Sequence, residues 1–402
     1  MNILLIHQAY AGQEQVGGTR HSELGRYLIG NGHNFSVIGS EVSYLTGKAS
    51  RSEEADDSGI RFIGAKTYSG LHKSYFHRAL SFISFMISSF WLGLKMNEID
   101  LYWGTSPPLF QILPTWLLAK LFRKPFVFEV RDLWPAFPVD MGVLNNRLFI
   151  KLAESFELFF YRQADHLVIN SPGFLDHLLN LGIREDKISI IPNGVDLKYF
   201  PENIDGSDFR RQHQLGNKLV VLYAGAHGLA NDLEIILKAA DKLRDRSDIE
   251  FVLVGDGKLK PGLQAEAEQM ALTNICFIPP QPKSKIPNVL AAADLCLAIL
   301  KDIPMFKTTY PNKVFDYMAA GRPTLLMIDG VIREVVENAG GGIFIPPGDP
   351  NALEDAVKLM ANQPKRRVEM GLAARDYVGK HFSRSDQAEM VEKLFQELLS
   401  WD

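Results

Sequence analysis

The chain has 402 residues, 46% hydrophobic and 22% charged, with a formal net charge of −4. That length allows two or three domains with sizeable cores, and the slightly acidic balance carries no electrostatic footprint for nucleic acid. Its two cysteines, Cys276 and Cys296, each sit in an apolar run, which predicts buried thiols; a disulfide or a metal site would need further support.

The chain starts on a strand pattern at 2–6 with no secretory leader ahead of it, so a reducing, cytoplasmic location is expected. A loop with Gly12, Gly17 and Gly18 follows, then a helix over 19–30 and a strand over 35–38. Further strands are predicted at 60–63, 100–103, 126–130, 166–170 and 188–191. Residues 41–58 crowd Glu53, Glu54, Asp56 and Asp57 together and read as a solvated loop.

The stretch Ala79 to Leu94 is uncharged and bracketed by Arg78 and Lys95. It falls short of the roughly 20 apolar residues that span a bilayer. Ser81, Ser84 and Ser88 form one helical stripe, which fits a nearly buried helix. The stretch also fits a helix lying in a membrane surface, with Phe82, Phe85, Met86, Phe90 and Trp91 partly exposed. Lys73, Arg78, Lys95, Arg123 and Lys124 would then attract anionic lipid.

The run Ile191-Pro-Asn-Gly-Val-Asp196 reads as the end of a first domain. The alternation then restarts: strand 219–223, helix 231–244, strand 250–254, helix 261–271, strand 275–278, helix 285–293 and strand 294–299. A short helix near 312–320, strand 324–328, helix 331–338 and strand 343–345 follow, and helices at 351–361 and 385–399 close the chain. The organisation is duplicated: an α/β chain of two doubly wound, Rossmann-like halves with ligand loops at strand ends. The expected domains are 1–197 and 198–384, with 385–402 returning to the first.

The central stretch is Met305 to Pro323, MFKTTYPNKVFDYMAAGRP. Asn312 is suited to cap a helix that stops at Gly321 before Pro323. Val314, Phe315 and Met318 form its apolar stripe. Lys313 and Asp316 are three apart, neighbours on the other face, where a surface ion pair is the plainest expectation. A polar loop aimed at a helix N-terminus is an anion site, and a carboxylate one turn inside it suits sugar hydroxyls, so Asp316 is the candidate ribose contact. Two glycine loops follow strands at matching places in the halves, Gly17-Gly18 and Gly225-Ala226-His227-Gly228, and both suit phosphate. In the first half, strand 126–130 runs into Arg131-Asp132, where open α/β sheets bind ligands. Asp132 is the candidate base or an orienter of Arg131, with a loop-fixing ion pair as the plainer reading. Glu129 lies within the strand and is the lesser candidate.

These residues carry a resemblance. Asp316-Tyr-Met-Ala-Ala-Gly-Arg-Pro323 resembles the signature of family-4 retaining glycosyltransferases, in which two Glu flank seven residues; here the first position holds Thr308. Tyr-Pro-Asn-Lys-x-Phe-Asp-Tyr-Met-Ala-Ala-Gly is similar to a fucosamine-transferase-like subgroup that builds bacterial surface polysaccharides. The resemblance implies the GT-B fold, two Rossmann-like domains facing each other across a cleft, with the last helix crossing back. It implies a retaining, metal-independent transferase that takes a nucleotide diphosphate sugar, a UDP-sugar by preference, and no cofactor. The acceptor would be a lipid-linked saccharide at the inner face of the membrane. Relatives carry an Arg after the glycine matched by Gly225 and a Lys a few residues on; here Ala226 and approximately Asn231 stand there. Lys313 is therefore the candidate for the missing charge, with His227 as a further donor to phosphate. Thr308, Thr309, Tyr310, Pro311 and Asn312 are left to hold the donor sugar. Two other readings stay open: a UDP-sugar 2-epimerase of the same fold, and a degenerate protein that only binds nucleotide sugar.

Overall fold

The computed structural model of the chain describes residues 1–42, 59–70 and 74–400, so the acidic cluster of 53–57 and Lys73 lie outside the described residues. The chain divides into two compact units, one of residues 1–13, 17–192 and 384–402, the other of residues 14–16 and 193–383.

The first unit holds β1 (Asn2–Ile6), α1 (Arg20–Gly30), β2 (Asn34–Ser40), β3 (Arg61–Ala65), α2 (Tyr75–Gly93), β4 (Leu101–Ser106), α3 (Ile112–Phe122) and β5 (Phe126–Val130). It continues through α4 (Ala136–Asp140), α5 (Arg147–Gln163), β6 (His166–Ile169), α6 (Leu175–Asn180) and β7 (Ile188–Ile190). Its seven strands lie in the order β3-β2-β1-β4-β5-β6-β7 and all pair in parallel.

The second unit holds α7 (Ser207–Gln212), β8 (Leu219–Ala224), α8 (Glu234–Lys242), β9 (Ile249–Val254), α9 (Lys260–Gln269), β10 (Ile275–Ile278), α10 (Ile286–Ala291) and β11 (Leu295–Ile299). Then come α11 (Asn312–Ala319), β12 (Thr324–Met327), α12 (Val331–Asn338), β13 (Gly342–Phe344), α13 (Pro350–Ala361) and α14 (Pro364–His381). Its sheet runs β10-β9-β8-β11-β12-β13, again parallel throughout. Helices on both faces bury such strands completely, which is why β1, β9 and β11 read as near-continuous apolar runs. Each sheet reverses its strand order once, between β1 and β4 and between β8 and β11, and ligands of open α/β sheets bind outside the strand ends at such points.

The closing helix α15 (Arg384–Leu399) packs in the first unit, where Val391, Phe395 and Leu398 share a core with Leu5 and Trp103. The strand and helix positions that were read from the sequence match the observed ones to within a few residues, but α3, α5, the short α4, α6 and α7, and α14 were not read there. The buried face of α14 is Met370, Gly371, Ala374 and Val378, too small to register as an apolar stripe. It is small because α14 passes close by: a Cβ on Gly371 would lie 2.0 Å from the Gly321 carbonyl oxygen at the end of α11. Of the two cysteines, Cys296 is fully buried and Cys276 half-buried, and neither is bonded to the other.

Helix α2 departs from the expected pattern at one residue: Phe82, Met86 and Phe90 are partly exposed and Trp91 exposed, as expected, but Phe85 is fully buried. Phe85 and the hydroxyl-bearing Ser81 and Ser89 face inward, while Phe76, Ile83, Ile87 and Trp91 form an exposed stripe, Trp91 at 61%. Phe85 is therefore core and not surface. Small residues face inward because α3 lies close, and a Cβ on Gly93 would meet Leu118 at 2.3 Å. On α3, which packs beside α2, Leu117 and Leu121 are also exposed, as are Leu148, Phe149 and Leu152 of α5. Among the described residues no helix is long and apolar enough to cross a membrane.

A buried charge network ties α1 to the two points where the chain leaves and re-enters the first unit. Arg20 donates to Glu129 Oε1 at 2.6 Å and to the carbonyls of Pro192 and Ile191 at 2.6 and 2.7 Å. Arg384 donates to Glu23 at 2.7 Å, and His21 closes on the other oxygen of Glu129. Burial alone would raise the Glu129 carboxyl, but His21 and Arg20 hold it far below the carboxylate range. Burial likewise holds His21 down at about 4, so the ring is neutral at pH 7 and donates to an ionised Glu129. Glu129 is thus a structural counter-ion. Glu129→Ala leaves Arg20 buried and unpaired, and urea unfolding is expected to show a loss of about 3–5 kcal/mol. A loss under about 1 kcal/mol, the level of a surface pair, would contradict that role.

Candidate active site

Strands β8 and β11 are parallel neighbours across the reversal of the second sheet, so the loops leaving their carboxyl ends open side by side. From β8 come Gly225, Ala226, His227 and Gly228. From β11 comes the segment that leads through a 3₁₀ turn at Pro304–Thr308 into α11. Helix α11 is seated by Val314, Phe315, Tyr317 and Met318, each 0–1% exposed. Its N-cap is Pro311 in extended backbone, with no capping side chain. The expected Asn312 cap does not form, because Asn312 already lies inside the helix and points to solvent. The Val314 N–H donates to the Pro311 carbonyl at 3.1 Å, and the N–H groups of Asn312 and Lys313 have no capping side chain, which leaves them available to an anion.

Lys313 and Asp316 do not pair with each other. Adjacent positions on one helix face bring the stems together, but each head group finds a nearer partner on another element. The Asp316 carboxylate receives Lys283 Nζ at 2.6 Å on both oxygens, in a half-buried pair. Lys313 runs the other way, toward the β8 loop. Its Nζ donates to Tyr223 Oη at 2.9 Å and Asn231 Oδ1 at 3.1 Å, and lies 4.3 Å from the centre of the Tyr223 ring. A Cβ on Gly225 would stand 3.0 Å from this nitrogen. Burial, with no carboxylate to offset it, pulls the Lys313 ammonium down to about 7.

The remaining candidates of this unit divide. The Thr308 and Thr309 hydroxyls donate to the carbonyls of Met305 and Phe306 at 2.6 and 2.9 Å, closing the 3₁₀ turn. Tyr310 packs its ring edge-on against Phe315 and Phe382, and its carbonyl accepts from Asn193 at 2.7 Å. His227 is fully buried, and neither ring nitrogen has a hydrogen-bond partner among the described residues. Burial lowers it to about 4, so it is a neutral ring wedged under the loop and not an exposed phosphate donor. The α-helix expected to start near 230 begins at Glu234, after a 3₁₀ turn over Leu229–Asn231 that carries the Asn231 contact to Lys313.

In the first unit, Gly17 admits no side chain, since a Cβ would come 2.8 Å from that of Ala11, while Gly18 has open space. Arg131 donates to Thr105 Oγ1 at 3.0 Å and to His7 Nε2 at 2.9 Å. Because arginine only donates, His7 Nε2 is the acceptor and its proton sits on Nδ1. Burial raises the Asp132 carboxyl to about 7, against the pull of Arg131. Burial also raises Glu157 to about 8, with Asp132 among its electrostatic neighbours, and Tyr161 donates to it. Sequence reasoning did not single out Tyr223, Lys283, His7 or Glu157, which read there as ordinary strand, loop or helix positions. Among the described residues no group of three or more His, Cys, Asp or Glu is arranged to hold a metal ion.

Comparison with known proteins agrees with this layout. Residues 17–199 match the family described as Glycosyltransferase Family 4, and residues 205–377 match Glycosyl transferases group 1. The chain is 24% identical over 393 residues to the Escherichia coli (strain K12) protein named as the colanic acid biosynthesis glycosyl transferase WcaI, covering 94% of this chain and 95% of that one. It is 24% identical over 302 residues to D-inositol 3-phosphate glycosyltransferase of Corynebacterium jeikeium, covering 70% and 69%. Among solved structures, Anabaena HepE in complex with UDP-glucose superposes with a TM-score of 0.75 at 16% identity, over 99% of this chain and 100% of that one. Sucrose-phosphate synthase of Thermosynechococcus elongatus gives 0.79 at 18%, over 100% of both. With both units matched in order and two parallel-sheet Rossmann-like folds observed, the chain belongs to the family-4 glycosyltransferases of GT-B type.

Proposed function

We propose that the protein transfers a sugar, with retention and without a metal, from a UDP-sugar to a lipid-linked saccharide in surface polysaccharide assembly. The observation that carries this reading is the half-buried Lys313, whose ammonium stands at the strand-order reversal beside Gly225 with only neutral hydrogen-bond partners among the described residues. A diphosphate is the complementary charge, and preorganised cations and helix N-termini aimed at a leaving group are the largest catalytic contribution such a site offers. HepE was crystallised with UDP-glucose, which supports the donor class, and the WcaI name supports the polysaccharide role.

In this reading the second unit holds the donor. Lys313, Gly225 and the open N-terminus of α11 take the diphosphate, and Asp316, paired with Lys283, takes the ribose. The backbone of Thr308, Thr309, Tyr310, Pro311 and Asn312 lines the sugar, since the threonine hydroxyls are turned onto their own loop. His227 supports the loop from beneath. The first unit holds the acceptor, with Gly17-Gly18 as its anion loop and Asp132 oriented beside Arg131. In a retaining transfer on one face, the departing diphosphate itself accepts the hydroxyl proton, and Asp132, poised near neutrality, orients that hydroxyl. Asp316→Ala is expected to weaken UDP binding by about 1.5–3 kcal/mol in calorimetry, the range for a hydrogen bond to a charged group. Unchanged UDP affinity would remove Asp316 from the site.

A lipid-linked acceptor calls for a membrane-facing surface, and the exposed stripe of α2, with the exposed Leu117 and Leu121 of α3, suits one. Neither helix carries an acidic residue, and Arg78, Lys95, Lys120 and Arg123 flank the apolar side chains. Exposed apolar patches of this kind meet a partner or a membrane, and each cation near an anionic surface adds roughly 1 kcal/mol. On this reading the protein works at the cytoplasmic face of the cell membrane. Replacing Ile87 and Trp91 with serine is expected to abolish sedimentation with anionic vesicles at low salt and leave the unfolding midpoint unchanged. Undiminished vesicle binding by the folded double variant would refute this docking face.

A further inference from the structure

Lys313 is held in an unusual way. Of its three N–H groups, two go to the neutral oxygens of Tyr223 and Asn231, and the face of the Tyr223 ring lies under the charge. The one carboxylate on its own helix, Asp316, is engaged by Lys283. The partners are themselves fixed. Tyr223 is 1% exposed and gives its hydroxyl proton to the Ala226 carbonyl at 2.7 Å, so its lone pairs are left for the lysine. Asn231 is 8% exposed and sits at the end of the 3₁₀ turn that follows the glycine loop. One nitrogen thus ties together the end of β8, the loop after it and the first turn of α11.

Dipoles and a ring orient an ammonium without neutralising it. A carboxylate in either place would form a closed ion pair, as Arg20 and Glu129 do in the first unit, and would compete with any anion for the charge. We propose that Tyr223 and Asn231 are positioning residues that hold Lys313 over the Gly225 loop without a counter-ion, so that its charge is reserved for the diphosphate of the donor. This rests on the reading of the site given above. It has a specific consequence: the position of the charge matters more than the residue that carries it. Since the Asn231 side chain ends against Lys313 Nζ, a lysine at 231 can put an ammonium in the same place.

The test is UDP titration by calorimetry of the full chain, with thermal unfolding alongside. Lys313→Met is expected to lower UDP affinity about 10- to 100-fold, the equivalent of one charged hydrogen bond. Its unfolding midpoint should hold or rise, because an uncompensated buried charge has been removed. Adding Asn231→Lys to that variant is expected to restore affinity to within about 3-fold of the wild type, which a packing role for Lys313 would not produce. A folded Asn231→Lys/Lys313→Met protein that binds UDP no better than Lys313→Met overturns the inference. Should the double variant not fold, Asn231→Ala and Tyr223→Phe decide: a 3- to 10-fold loss of UDP affinity in each supports the positioning roles, and unchanged affinity overturns them. Wild-type protein that binds neither UDP nor GDP overturns the reading of the site, and this inference with it. Wild-type binding without rescue overturns the inference alone.

Discussion

A lysine ammonium taken out of water without a counter-charge is the constraint on which the second unit turns. Burying an unpaired cation costs several kcal/mol, and folded proteins ordinarily avoid it by pairing or by letting the group lose its proton. At Lys313, where the sheet reverses its strand order, that cost shows as a lysine pulled down to about 7, so its ammonium is held only weakly until an anion arrives. Much of the local architecture follows from keeping it there. The apolar stripe of α11 fixes the helix, Pro311 leaves its first turn uncapped, and the glycine at 225 keeps the space above the nitrogen clear.

The first unit solves the opposite problem. The charges buried along α1 are compensated: Arg20 with Glu129 and two carbonyls, His21 with the same carboxylate, Arg384 with Glu23. Such networks specify how elements meet and are weak recognition devices, because no charge remains to offer. The contrast separates roles that residue type alone does not. Glu129 and Asp132 are both acidic and three residues apart, yet one is driven far below the carboxylate range by its partners and the other is lifted toward neutrality.

The sequence made most of the fold legible, because strands buried on both faces announce themselves as apolar runs and the helices between them alternate regularly. Helix α14 escaped since close approach to Gly321 demands glycine and alanine where a stripe would need leucine. The face of α2 was misjudged at Phe85, which lies four residues from both Ser81 and Ser89 and so shares their inward stripe. Within the candidate site, the two glycine loops were readable from glycines and helix starts, and Lys313 was singled out by the lack of a cation at Ala226 and Asn231. Its true partners were not, since spacing along a helix reports which side chains are adjacent and says nothing of what a neighbouring strand offers. Tyr223 and Lys283 reach the site from elements far apart in the chain.

The most direct measurement is a crystal structure of the chain with UDP, grown in the presence of EDTA. The account predicts a phosphate oxygen of UDP within hydrogen-bond reach of Lys313 Nζ, about 2.7–3.2 Å, with the ribose against Asp316 and no metal between them. A diphosphate bound elsewhere, with Lys313 still engaged only by Tyr223 and Asn231, would contradict it.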